Sequence, residues 1–372
     1  MRKMTISSRP QSPKNEPQSP VLPLFGALEP LAVSVKTEDF IEPGALGARL
    51  YALRKVFPAD YELLKPALAT MTGPDIAAYG AEASDIFDSW AEAGGGPTMP
   101  AMIAAAIKHF GLDENTPMVK GLVMAAILGE MPNGLQYHGN EHYRKVLFHA
   151  IRLAAKHNEL FARDEKRKLS GELIAVLLAA ACIHDLGHKG GDNLKEGVYT
   201  PGYMEQRSFD IARPYFEALG MDPDRMRDIE TIVFCTDITF FAGDNSPCVR
   251  MKKIYKHYYW DDDTEDVSTM MMGKLRRFED NPALVLTAMM LHEADVGTSA
   301  GLSYARTIKE TIDLMAERGV NKAGPATVLA FLREQLGETM FTEAGKQIFG
   351  PVMTQVIAQA EKDVAAGKKS FL

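Results

Sequence analysis

One stretch constrains this chain more than any other: residues 181–193, ACIHDLGHKGGDN, entered from an unbroken apolar run between Leu173 and Ile183. Eleven consecutive apolar residues read as a helix buried on every side. That helix runs directly into His184 and Asp185, and a glycine-bearing exit follows with His188 four places on. Neither an imidazole nor a carboxylate belongs in a core without a partner, and a divalent metal is a common one.

The remainder of the chain supplies candidate partners on helices. Period-two alternation is nowhere convincing, so the expected class is all-α, a multi-helix bundle. Residues 1–23 are rich in Pro, Ser, Gln and Lys, and residues 1–43 are expected to form a disordered or extended arm. Residues 44–130 read as a helical N-terminal subdomain interrupted at Gly94–Pro97, and residues 131–365 as the catalytic body. Within the body, helices are expected to about 163 and over 171–186, 202–219 and 222–235. Others are expected from Asn281 through Asp295, and over 303–318, 324–338 and 341–365. Residues 241–266 read as irregular, although Lys252 to Trp260 interleave basic and aromatic residues that could contact a nucleotide.

Composition excludes several classes. Against 49 Asp and Glu stand 41 Lys and Arg, and the net charge of −8 disfavours sequence-independent nucleic-acid binding. No stretch approaches the roughly 20 apolar residues that span a bilayer. The N-terminus lacks the apolar core of a signal peptide, and the three cysteines have no CxxC spacing. A cytoplasmic protein with no nucleic-acid or membrane partner is expected. Nothing in the pattern specifies an oligomeric state.

His142, His184, Asp185 and Asp295 form an ordered set His…His-Asp…Asp. Alone, His142 reads as a surface or satisfied core histidine and Asp295 as a cap or ion-pair partner. Together, two imidazoles and two carboxylates suit Zn²⁺, Mn²⁺ or Fe²⁺. Asp185 could bridge to a second, harder ion completed mostly by water, for which Mg²⁺ or Mn²⁺ is natural. Two ions about 3.5–4 Å apart would hold a hydroxide suited to attack at phosphorus. His138, one helical turn before His142, is placed to protonate the leaving oxygen. His188, Glu205, Asp237 and His292 are candidates for holding ligands or metal-bound waters.

This pattern resembles the HD-domain metal phosphohydrolases, and within them the catalytic domain of class I 3′,5′-cyclic nucleotide phosphodiesterases. Tyr137-His138-Gly139-Asn140-Glu141-His142 resembles the family's Tyr-His-Asn-x-x-His, with the asparagine displaced by one place. His184-Asp185-Leu186-Gly187-His188-Lys189-Gly190 resembles His-Asp-x-Asp-His-x-Gly, with Gly187 replacing the second acid. Thr236-Asp237-Ile238 resembles Thr-Asp-Met, and His292-Glu293-Ala294-Asp295 resembles His-Cys-Ala-Asp. The resemblance covers about residues 130–350. It implies zinc on His142, His184, Asp185 and Asp295, and magnesium or manganese bridged by Asp185. His138 is the implied proton donor. Tyr137, Gln347 and Phe349 are the implied substrate-binding residues, the last two by matching Lys346-Gln347-Ile348-Phe349 to the family's base-reading glutamine and stacking phenylalanine. Gln335 and Gln355 compete with Gln347 for that role.

The implied reaction is hydrolysis of cAMP or cGMP to the 5′-monophosphate. The departures mark a divergent member, expected to be bacterial. The competing expectations are an HD-type hydrolase of another nucleotide or phosphoester, and a non-catalytic HD-fold ligand sensor.

Overall fold

A computed structural model describes residues 21–35, 41–42, 44–73, 78–262, 264, 266–320 and 322–371. Apart from a ribbon pairing Leu194–Lys195 with Val198–Tyr199, the described residues form helices, turns and loops. The class is all-α.

The helices are α1 (Val21–Ser34), α2 (Ala45–Leu64), α3 (Leu68–Thr72), α4 (Tyr79–Glu92), α5 (Met99–Phe110), α6 (Pro117–Gly129), α7 (Asn140–Leu160) and α8 (Gly171–Ile183). There follow α9 (Tyr203–Ala218), α10 (Pro223–Phe234), α11 (Pro247–Trp260), α12 (Pro282–Gly301), α13 (Tyr304–Glu317), α14 (Pro325–Ala330), α15 (Glu343–Ile348) and α16 (Gly350–Ala365).

α8 is the axis of the fold. Ser170 caps it by accepting from the Leu173 N–H, and every residue from Ile174 to Ile183 is buried. A helix apolar on all faces needs neighbours on all faces. Here α6, α7, α10 and α12 surround it. α6 comes so near that a Cβ on Gly129 would lie 2.3 Å from the Cys182 carbonyl oxygen, so only glycine fits. The helix ends at Ile183, and the turn that follows closes at Gly187, at φ +75°. The Tyr143 hydroxyl donates to the Asp185 carbonyl at 2.5 Å and pins that end to α7.

Three expectations are corrected. Residues 21–34 form a helix rather than an extended arm, while residues 1–20 and 36–40 lie outside the described residues. Val21, Leu24, Phe25 and Leu28 recur at helical spacing and are buried, and Pro23 falls in the first turn, where a missing N–H breaks no bond. Much of the segment expected to be irregular, 241–266, is α11, opened by Ser246 and Pro247. The helix expected over 324–338 changes character at Phe331, where a π-helical turn runs to Gln335. Helices on both sides of residue 130 share one apolar core. Among the described residues, no helix is long and apolar enough to cross a membrane.

Candidate metal centre

Three helices converge on one point. α7 contributes His142 from its first turn, the end of α8 contributes His184 and Asp185, and α12 contributes Asp295 from its middle. The two Nε2 atoms of His142 and His184 stand 3.4 Å apart. Asp295 Oδ1 lies 3.1 Å from His142 Nε2 and 3.8 Å from His184 Nε2. Asp185 Oδ2 lies 3.1 Å from His184 Nε2 and 3.6 Å from His142 Nε2. Donors about 2.1 Å from one ion stand about 3.4 Å apart in a tetrahedron and about 3.0 Å apart at the cis positions of an octahedron. The five spacings run from 3.1 to 3.8 Å, around the tetrahedral value and just above the octahedral one. His142, His184 and Asp295 each offer a donor within 4.8 Å of the others and fit a divalent ion, with Asp185 facing the same two Nε2 atoms.

Orientation supports the same reading. His184 Nδ1 donates to the Ala181 carbonyl at 3.0 Å, which turns Nε2 toward the cluster. Burial disfavours a charged His184, yet Asp185 and then Asp295 outweigh it and hold its pKa up to about 9. Asp185 is itself well below the carboxylate range despite burial, because His184 faces it. The site thus concentrates negative charge, which a cation satisfies.

A second concentration of acid lies beside it. Glu205 is buried, its Oε1 accepts from Asn193 at 3.3 Å, and its Oε2 has no partner among the described residues. Burial and the nearby Asp237 push the Glu205 pKa well up. Asp237 accepts from the Tyr199 hydroxyl at 2.7 Å and from the N–H groups of Gly202 and Thr239. An orphaned carboxylate oxygen near Asp185 and Asp237 fits a water-rich Mg²⁺ or Mn²⁺ site.

His138 precedes α7, whose N-cap is Gly139. Its Nδ1 is 2.6 Å from Glu317 Oε1, and Glu317 Oε2 accepts the backbone N–H groups of Tyr137 and His138 at 2.9 and 3.1 Å. Burial opposes charge on His138, but the Glu317 bond and the Asp185 charge prevail and raise its pKa. Glu317 is correspondingly lowered to about 2, against the effect of its burial. The His188 ring stacks on His138 with centroids 4.0 Å apart. Burial takes His188 down to about 4 against the pull of Asp185, and its Nδ1 accepts from the Gly190 N–H. Of the two stacked rings, His138 is therefore the more basic.

Asp185, Asp295, Glu205, Asp237, His138 and His188 line a cavity of about 330 Å³. Tyr137 lines it with its hydroxyl 3.3 Å from Ser299 Oγ. One face of α13 forms another wall through Thr311, Leu314, Met315 and Arg318. His292 does not line it. That ring is buried behind, with Nδ1 3.6 Å from the Cys248 sulfur.

Neither a protein-family model nor a curated protein matches the chain. Solved structures similar to it include two phosphodiesterase structures. The phosphodiesterase domain of the RhoPDE fusion protein from the choanoflagellate Salpingoeca rosetta is 13% identical at a TM-score of 0.49, over 83% of this chain and 99% of that one. LmjPDEB1, solved in complex with IBMX, is 15% identical at a TM-score of 0.41, over 91% of this chain and 98% of that one.

The expected substrate pair, Gln347 and Phe349, does not line the cavity. Gln347 is exposed on α15. Phe349 is fully buried on another side of α12, in a notch formed by Gly297 and Gly301. A Cβ on Gly301 would come within 2.5 Å of that ring, and Tyr79 and His149 meet the ring edge-on. The glutamine that does line the cavity is Gln335, with Phe331 four residues before it. Four residues apart, the two side chains share one face of the chain, and both meet the cavity. Phe349→Ala is therefore expected to destabilise the fold by about 3–5 kcal/mol while leaving KM unchanged. Denaturant melts and steady-state kinetics check both parts.

Sequence reasoning missed Glu317, which stands 179 positions from His138 in an unremarkable helix end. It also missed the buried pair of Lys145 and Glu310, 3.0 Å apart, of which Glu310 lines the cavity. The displaced asparagine has a use of its own. Asn140 donates to the carbonyls of Gly129 and Met131 and accepts from the Asn133 N–H, tying down the loop that carries His138.

Proposed function

We propose that this protein hydrolyses a phosphodiester with the help of two divalent ions, and that the substrate is a 3′,5′-cyclic nucleotide opened to the 5′-monophosphate. The observation that carries the reading is the four-donor cluster with its 3.1–3.8 Å spacings, beside a histidine on the cavity wall whose Nδ1 is 2.6 Å from the Glu317 carboxylate. Zn²⁺ suits His142, His184, Asp185 and Asp295, and Mg²⁺ or Mn²⁺ suits the Asp185 edge near Glu205 and Asp237. When bound, such ions supply a water of lowered pKa and neutralise phosphoryl charge.

The chain's own groups do the rest. His138 donates its Nε2 proton to the departing O3′, which as an alkoxide would be a poor leaving group. Glu317 receives Nδ1–H, keeps the ring charged before the transfer, and fixes its direction through two backbone bonds. His188 stacks against the ring and confines it. Phe331 and Gln335 form the base-binding wall, one by stacking and the other through an amide that both donates and accepts. A cavity of about 330 Å³ matches one nucleotide at the small end of ligand pockets.

Gln335→Ala tests the base wall. It should raise KM for the preferred cyclic nucleotide about tenfold, roughly 1.4 kcal/mol, and leave turnover of an aryl phosphodiester unchanged. Unchanged KM for cAMP and cGMP alike would remove Gln335 from base recognition.

A further inference from the structure

The aromatic residues of α11, Tyr255, Tyr258, Tyr259 and Trp260, do not reach the catalytic cavity. They line a different one, of about 300 Å³, at the far end of the same helices. Its wall includes His157 near the end of α7 and Pro282 and Ala283 at the start of α12. From His157 to His142 is 15 residues of helix, about 22 Å, and from Ala283 to Asp295 is 12, about 18 Å. The two cavities are separate.

One side of this cavity is aromatic. Tyr255 and Tyr259 stack with centroids 4.6 Å apart, and Trp260 stacks on Phe341. Tyr258 and Tyr259 donate their hydroxyls to the carbonyls of Phe278 and Pro282, so these rings are held in place. The opposite side is cationic: Lys166, Arg167 and Lys168 in the turn between α7 and α8. That turn is also fixed. His157 Nε2 donates to the Arg167 carbonyl at 2.7 Å, and Asn158 makes two bonds to the Leu169 backbone. Arg167 lies over the Phe161 ring, 3.7 Å from its centroid. Neither Arg167 nor Lys166 has a carboxylate partner among the described residues, although the chain carries a net charge of −8. Lys168 pairs with the exposed Glu165, and the lining acid, Glu343, pairs with Lys346.

We propose that this cavity is a second, non-catalytic binding site for a planar aromatic anion of the nucleoside monophosphate class. The ring would lie against the Tyr255–Trp260 wall and the phosphate would meet Arg167 and Lys166. Aromatic faces opposite unpaired, pre-positioned cations match both halves of such a ligand at once.

Trp260 provides the reporter. The chain has two tryptophans, and the other, Trp90, is buried in the core. Full-length Trp90→Phe protein, titrated with 5′-AMP, should show saturable quenching of Trp260. Arg167→Glu, an exposed substitution, should weaken the apparent affinity at least tenfold. Gln335→Ala and Asp185→Ala, both in the catalytic cavity, should leave it unchanged. Inorganic phosphate alone should compete weakly without quenching. Should Trp90→Phe not fold, wild-type protein serves, with Trp260→Phe as the blank that must lose the saturable part. Absence of saturable quenching up to millimolar 5′-AMP would overturn the proposal. So would quenching that survives Arg167→Glu and vanishes in Gln335→Ala, since it would then report the catalytic cavity.

Discussion

Asp185→Ala and Asp295→Ala are each expected to remove bound zinc and to reduce hydrolysis by about 10³-fold or more. Each carboxylate stands within 3.8 Å of both histidine Nε2 atoms, so removing either opens the cluster on one side. Asp185 should have the broader effect, because it faces Glu205 and Asp237 as well as the two imidazoles. Its loss should also abolish the stimulation by added Mg²⁺ or Mn²⁺. Elemental analysis of each purified variant, alongside steady-state rates, separates binding from chemistry. Zinc retained at wild-type stoichiometry in both variants would refute the ligand assignment.

Glu317→Gln is expected to lower turnover of a cyclic nucleotide at pH 8 by about 10²-fold, at the lower edge of what general acid catalysis contributes. The amide keeps the shape of the carboxylate but removes the charge that raises the His138 pKa. The sign follows directly. A general acid works while protonated, so activity falls as pH rises through the His138 pKa. Lowering that pKa moves the alkaline limb of kcat/KM to lower pH. His138→Ala should remove the limb altogether. An activated aryl phosphodiester, whose leaving group needs no proton, should be hydrolysed by both variants at rates within a few-fold of wild type. Equal losses on the two substrates would mean that His138 and Glu317 support the site without donating a proton.

The parts of this molecule that sequence made legible share a physical origin. An all-apolar helix ending in His184 and Asp185 is costly to bury without a ligand, so it stands out against any ordinary core helix. His142 and Asp295 become visible once that pair has been noticed, because each lies on a helix that the sequence delimits, His142 at the start of α7 and Asp295 within the apolar α12. The structure brings these four together and sets His138, His188, Glu205 and Asp237 around the same cavity. What sequence concealed depends on long-range placement or on local exceptions to a rule. Glu317 reaches His138 only because α13 crosses the loop before α7. Phe349 looks exposed to ligand in a short motif, but the glycines of α12 give it a notch in the core. Phe331 and Gln335 share a face at ordinary four-residue spacing, but nothing in the sequence sets Gln335 apart from Gln347 and Gln355 until the fold lays that face against the cavity. α1 was hidden by its prolines, which suggest a loop until one of them is seen to occupy a first turn.

The central claim is phosphodiester hydrolysis at the four-donor cluster. It is tested most directly by incubating zinc-analysed wild-type protein with cAMP and with cGMP, each with Mg²⁺ or Mn²⁺, and separating the nucleotide products. The account predicts 5′-AMP or 5′-GMP, formed by cleavage of the bond to O3′, and no such product from Asp185→Ala. Protein that carries its zinc yet leaves both cyclic nucleotides and the aryl phosphodiester intact would contradict it.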